Sequence, residues 1–107
     1  MKMRILIVNI NRDKMTNDLL GDLDKQICPH DVTVINNNTN MDLCRIWNEF
    51  YLTYTNDILC FLNNDVRVPP NFVSDVIAVF EKEPTVGCVC HMQGDPSKWN
   101  PELRYII

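Results

Sequence analysis

The stretch DILCFLNNDVRVPP, residues 57–70, decides the fold. Its first half, Asp57 to Asn63, carries the run ILCFL with no polar residue on either face, the pattern of a parallel strand covered on both sides. Polarity then switches within one residue, at Asn63, Asn64 and Asp65. Pro69 and Pro70 follow, and proline suits the first turn of a helix. Phe72, Val73, Val76, Ile77 and Phe80 recur at helical spacing behind them, and Pro84 closes the element. A buried strand, a polar tip and a helix in that order form the repeating piece of an α/β sheet.

Working upstream, the same piece occurs twice more. Met3 to Ile10 (MRILIVNI) reads as a central strand, and Met15, Leu19, Leu20, Leu23 and Ile27 place a helix over 15–27, with Asp13 or Thr16 as its N-cap and Pro29 beyond its end. Val32 to Ile35 is a second, shorter strand that runs into the polar loop Asn36 to Asn40. Leu43, Ile46, Trp47, Phe50 and Tyr54 form an apolar stripe on a helix over 41–54, with Trp47 expected in the core. Downstream, Val86 to Cys90 predicts a fourth strand, GDPSKWNPE a loop or tail within 92–107, and Leu103 to Ile107 a last edge strand. The whole reads as one domain over 1–107: a three-layer, Rossmann-like and mostly parallel α/β sheet with helices on both faces.

Composition narrows the functional classes. The 107 residues, 46% hydrophobic, suffice for one core. Ten Lys and Arg against 14 Asp and Glu leave a net charge of -4, which argues against general affinity for nucleic acid or an anionic membrane. No apolar run approaches the roughly 20 residues of a membrane span, and the short apolar stretch after Lys2 and Arg4 reads as a strand, not a signal peptide. The five cysteines, at 28, 44, 60, 88 and 90, are an odd and dispersed set, so a reducing, cytoplasmic setting is expected. Cys88 and Cys90 read as small apolar residues on one face of a buried strand, although with His91 they offer three of the four ligands a zinc site wants.

In an open parallel sheet, ligands bind beyond the carboxyl ends of the strands. Three polar segments belong there: Asn9 to Arg12, Asn36 to Asn40 and Asn63 to Asp65. Each has a bland reading as a turn, since asparagine favours turns, but together they concentrate amides on one rim. Only Gly21, Gly87 and Gly94 are present, and none lies at the first strand-to-helix turn, so the backbone offers no phosphate-cradling loop. A metal and arginine remain as ways to hold a diphosphate. Asp65, with the side-chain carbonyl of Asn63 or Asn64, supplies hard oxygen donors suited to Mg2+ or Mn2+, and such a metal is expected to arrive with a nucleotide. Arg12 and Arg45 are candidates for phosphate contacts, with ordinary surface charge as the alternative for each.

These residues carry a resemblance. Asp57 to Val89 (DILCFLNNDVRVPPNFVSDVIAVFEKEPTVGCV) resembles the segment of family 2 glycosyltransferases that contains their DxD-type metal motif, the VPP after it and the following helix. ILIVNIN (Ile5 to Asn11) is similar to that family's first strand, and VTVINNNT (Val32 to Thr39) to its VVDNGST element. Arg45 to Glu49 (RIWNE) resembles its RNxG or WNxG helix. The resemblance implies a truncated A-type glycosyltransferase fold, the half that takes a nucleoside diphosphate sugar (a UDP- or GDP-sugar). It further implies that Asn9 and Asn11 border the nucleoside, that Asn36 faces the base or ribose, and that Asn63 to Asp65 form the divalent metal motif, with Mn2+ or Mg2+ at Asn63 and Asp65; Arg12, Asn38, Arg45 and Asn64 complete the expected nucleotide-binding set. Transfer of the sugar would proceed by attack of an acceptor hydroxyl, deprotonated by a carboxylate, on the anomeric carbon.

The departures are specific. Asn36 stands where the family usually has aspartate, Asn63 replaces the first aspartate of DxD, and Asp42 and Phe50 occupy positions where glycine is common. The acceptor-binding half and its base would follow residue 90, where Asp95 and Glu102 have no supporting context. The alternatives to catalysis are a non-catalytic nucleotide-sugar binding module and a structural α/β domain. Self-association through an unpaired sheet edge, giving a homo-oligomer, is a further expectation.

Overall fold

The computed structural model describes residues 2–37, 41–54, 57–91 and 105–106. The backbone groups into two compact units, residues 1–77 and 78–107. In the first, β1 (Met3–Asn9), β2 (Asp31–Asn36) and β3 (Ile58–Asn63) form a parallel sheet in the order β2-β1-β3. Pairing runs from Arg4 opposite Asp31 to Asn9 opposite Asn36 on one side of β1, and from Met3 opposite Ile58 to Val8 opposite Asn63 on the other. The three polar tips therefore finish at one edge, as the sequence predicts.

The helices are α1 (Asp13–Asp24), α2 (Leu43–Thr53) and α3 (Phe72–Lys82). Successive residues of β1 face opposite sides of the sheet. Leu6 and Val8 form a cluster with Ile46 and Phe50 of α2, and Ile35, Leu43, Trp47, Tyr54 and Leu59 pack against it. Met3, Ile5 and Ile7 are fully buried, and Asn9, in phase with them, meets Thr16 of α1 on the other side. So α2 covers one face and α1 the other, which explains why β1 is apolar on both faces from Ile5 to Val8. Phe50 lies 5.0 Å from Tyr54 and 6.0 Å from Phe61, ring centre to ring centre, and Trp47 lies 5.4 Å from Phe61.

Several local expectations need correction. Neither Asp13 nor Thr16 caps α1: Arg12 precedes the helix without a side-chain cap, Asp13 is its first residue, and Thr16 is buried inside it. Met15 is exposed, and Ile27 lies beyond the helix end, 74% exposed. Asp42 caps α2 by accepting from the Cys44 N–H, which gives the residue at that departure a local purpose. The prolines precede α3 without entering it; the Phe72 N–H bonds the Pro69 carbonyl. In the second unit, Cys90–His91 (β4) pairs antiparallel with Tyr105–Ile106 (β5), so the expected strand over 86–90 shrinks to two residues of a separate sheet. Cys88 lies outside it and is exposed, which removes the buried-strand reading.

The end of α1 holds the segment that leads from β3 to α3. Gln26 donates to the Pro69 carbonyl (2.7 Å) and accepts from the Val73 N–H (3.0 Å). Asp22 accepts from Arg67 through both oxygens, at 2.7 and 2.9 Å, and from the Val68 N–H at 3.1 Å. Arg67, above all, holds the Asp22 carboxyl down at about 2, against an ordinary 3.8. Because the unfolded chain takes up this proton at higher pH than the folded one, the contribution is complete above pH 3.8 and disappears as pH falls through about 2. Arg67 is 66% exposed, so screening limits the net contribution to about 1 kcal/mol. Urea titrations of the parent and Asp22→Asn at pH 5 and pH 2 are expected to show the gap between the two closing by that amount on acidification.

Candidate functional site

Asn9 ends β1, is 4% exposed, and is the hub of the rim. Its Oδ1 accepts from the Arg12 N–H (3.1 Å), the Thr16 hydroxyl (3.0 Å) and Asn64 Nδ2 (3.2 Å). Its Nδ2 donates to Asp13 Oδ1 (2.7 Å) and Asn36 Oδ1 (3.0 Å). The Asn9 carbonyl also takes the Asn37 N–H at 2.8 Å. One side chain thus joins β1, α1, the tip of β2 and the turn after β3. Asn37, 5% exposed, closes the next loop by bonding both the N–H and the carbonyl of Met41 at 2.8 Å.

Because Val8 and Asn9 face opposite sides of the sheet, the rim divides into two clefts. The first, about 400 Å³, lies on the α2 side and is walled by Val8, Leu43, Trp47 and Leu62, with Arg12, Asn63, Asn64 and Asp65 at its polar margin. The second, about 370 Å³, is lined by Asn9, Asp13, Thr16, Asn17, Val34 and Asn36, among others. Val34 and Asn36 alternate with Ile35, which packs on the α2 side, so this cleft belongs to the α1 side.

The site residues expected from the sequence separate accordingly. Asn63, Asp65, Asn64 and Arg12 come together in the first cleft, and Asn36 and Asn9 in the second. Asn9 has its amide fully engaged inside the protein, so the structure gives it the role of holding the others. Asn11 lines neither cleft and is exposed, at φ 54, a left-handed backbone that asparagine tolerates well. Arg45 faces Glu49 at 3.4 Å, one helical turn on, and lines neither cleft. Asn38 lies outside the described residues. Trp47, assigned to the core by its stripe, is half-buried and serves as a cleft wall. Asp13 and Thr16 were missed as rim residues; their positions four and seven after Asn9 were the available signal.

The first cleft suits a hard cation and an anion side by side. Asp65 is exposed there and, among the described residues, makes no hydrogen bond or ion pair, so its oxygens are unengaged donors; Asn63 adds a carbonyl. Both are oxygen ligands of the kind Mg2+ and Mn2+ accept. Among the described residues no three His, Cys, Asp or Glu side chains cluster as a ready-made cage, so such an ion needs ligands from its substrate. Arg12 is exposed, its guanidinium no nearer than 4.0 Å to Met15 Sδ. Desolvation pushes the Cys60 thiol up to about 12, which excludes a thiolate nucleophile at β3. No helix among the described residues is long and apolar enough to cross a membrane.

Compared with known proteins, the sequence matches the family described as glycosyl transferase family 2 over residues 1–106. No curated protein and no solved structure matched it.

Proposed function

The chain belongs to glycosyl transferase family 2, whose chemistry is glycosyl transfer from nucleotide sugars, and from that premise we propose that its first cleft binds the diphosphate end of a nucleoside diphosphate sugar together with Mn2+ or Mg2+. The observation that carries this reading is the unengaged Asp65 carboxylate beside Asn63 and Arg12 in one cleft. Asp65 and the Asn63 carbonyl hold the cation, which when bound neutralises charge on a departing diphosphate. Arg12 reaches a phosphate oxygen, where a guanidinium binds in bidentate geometry. Trp47, Leu43 and Leu62 exclude water along one wall and strengthen both contacts. Asn64 orients the turn through its bond to Asn9.

One observation favours a second reading, that of a binding module without turnover. The first cleft has a single carboxylate, and the cation uses it, so no carboxylate among its lining residues is left to deprotonate an acceptor.

A thermal-shift series with UDP- and GDP-sugars, with and without Mn2+, tests both. A ligand at 100 times its Kd adds about 2.7 kcal/mol, several degrees of Tm for a chain of this size. Asp65→Ala is expected to keep the unliganded Tm, since the side chain is exposed, and to lose the Mn2+-dependent increment. An increment that survives the substitution takes Asp65 out of the site. Sugar-donor hydrolysis that vanishes in Asp65→Ala selects the enzyme; binding without hydrolysis selects the module.

A further inference from the structure

Between the end of β3 and the start of α3, residues 64–71 belong to neither a strand nor a helix. Asp65 lies in this stretch and, among the described residues, makes no hydrogen bond or ion pair, so its place is set by what holds its neighbours. One residue before it, Asn64 donates to Asn9 Oδ1 at 3.2 Å. Two residues after it, Arg67 donates to both oxygens of Asp22, at 2.7 and 2.9 Å, and the Val68 N–H reaches the same carboxylate at 3.1 Å. Only Asp65 and Val66 lie between the two holds. Further on, Gln26 donates to the Pro69 carbonyl and accepts from the Val73 N–H, and the Ile27 N–H bonds the Pro70 carbonyl at 3.2 Å.

We propose that Asp22 is a positioning residue for the cation site: by gripping Arg67 and Val68 it works with the Asn9–Asn64 bond to suspend Asp65 between two fixed points, which keeps the carboxylate at the first cleft. The proposal rests on the reading of Asp65 as a cation ligand. A site with one carboxylate and one amide carbonyl binds weakly, so its affinity depends on having those donors in place before the ion arrives. Without Asp22 the untethered span grows from residues 65–66 to residues 65–68, because Gln26 still holds Pro69. Ordering that longer span then falls on binding instead of on folding. Arg67 lines neither cleft, which separates its part from that of Arg12: it fastens the chain and does not meet the ligand.

Apparent dissociation constants of UDP and of GDP are measured by calorimetry on the intact chain, with Mn2+ in excess, for the parent, Asp22→Ala, Arg67→Ala and the double variant. Asp22→Ala is expected to weaken Mn2+-dependent binding about tenfold, the lower end of what losing a supporting residue costs a metal site. Arg67→Ala removes a side chain that is 66% exposed, so the fold tolerates it, and it is expected to weaken binding too. Charge alone predicts otherwise: for an anionic ligand, loss of Asp22 would strengthen binding and loss of Arg67 would weaken it. The double variant is expected to lose no more than Asp22→Ala by itself, since both changes undo one hold. Asp22→Glu, which keeps a carboxylate for Arg67, should recover most of the affinity. Shifts of opposite sign, additive losses, an Asp22→Glu as weak as Asp22→Ala, or an unchanged affinity in Asp22→Ala overturn the proposal, while Mn2+-dependent binding that Asp65→Ala abolishes keeps the wider reading intact. Absence of Mn2+-dependent binding by both nucleotides in the parent overturns both. Circular dichroism without ligand checks that each variant is folded at the temperature of measurement.

Discussion

Asn9→Ala is expected to lose about 3 kcal/mol of unfolding free energy, the largest effect expected at a polar residue among those described. The cost comes from the groups left behind. The Thr16 hydroxyl, on a residue 3% exposed, loses its acceptor, and the Arg12 N–H at the start of α1 loses the only side-chain oxygen that meets it among the described residues. A buried donor without a partner costs about 1–3 kcal/mol. Asp13, Asn36 and Asn64 reach solvent more easily, and their share is smaller. Urea unfolding at constant m-value measures the loss. A change below about 1 kcal/mol would mean that water replaces the amide at little cost, and the hub would then be a convenience of packing.

Phe50→Ala is expected to cost about 3–4 kcal/mol, within the range for truncating a buried aromatic. Phe50 is 6% exposed and touches the rings of Tyr54 and Phe61, so its removal opens a void between α2 and the sheet. The effect reaches the site because α2 also carries Leu43 and Trp47, two walls of the first cleft. Thermal denaturation is expected to show a Tm lower by more than 10 °C for a domain this small. A Phe50→Leu protein, which keeps most of the volume, should recover most of the loss; equal damage from both would assign the effect to the ring contacts.

Much of the first unit was legible because its signals are local and redundant. The runs at 5–8 and 58–62 are apolar on both faces, and the switch at Asn63 marks the strand end to the residue. Strands near β4 and β5 were foreseen over 86–90 and 103–107, but their antiparallel pairing as a separate sheet was not, because two-residue partners fourteen residues apart leave no pairing signal. At the rim, the position of Asp65 just beyond the end of β3 was readable from the polarity switch alone. Asn9 was misjudged because composition shows that an asparagine ends a strand but not that five neighbours consume its amide. Arg45 could have been set aside from its i, i+4 glutamate. The division into two clefts was implicit in the period-2 alternation of Val8, Asn9 and Ile10, which a rim drawn as one line conceals.

At the far end of the sheet, Arg4 bonds Asp57 and, at 3.0 Å, Asp31, and lies 4.1 Å from the centre of the Tyr54 ring. Asp31 opens β2 and Asp57 immediately precedes β3, so a single guanidinium on the middle strand holds both outer strands against sliding. Alignment is therefore anchored remotely from the loops that would meet a substrate. The ladder is thus locked twice, by the Arg4 ion pairs here and by the Asn9 amide at the opposite end, so a change at one end leaves the other lock in place.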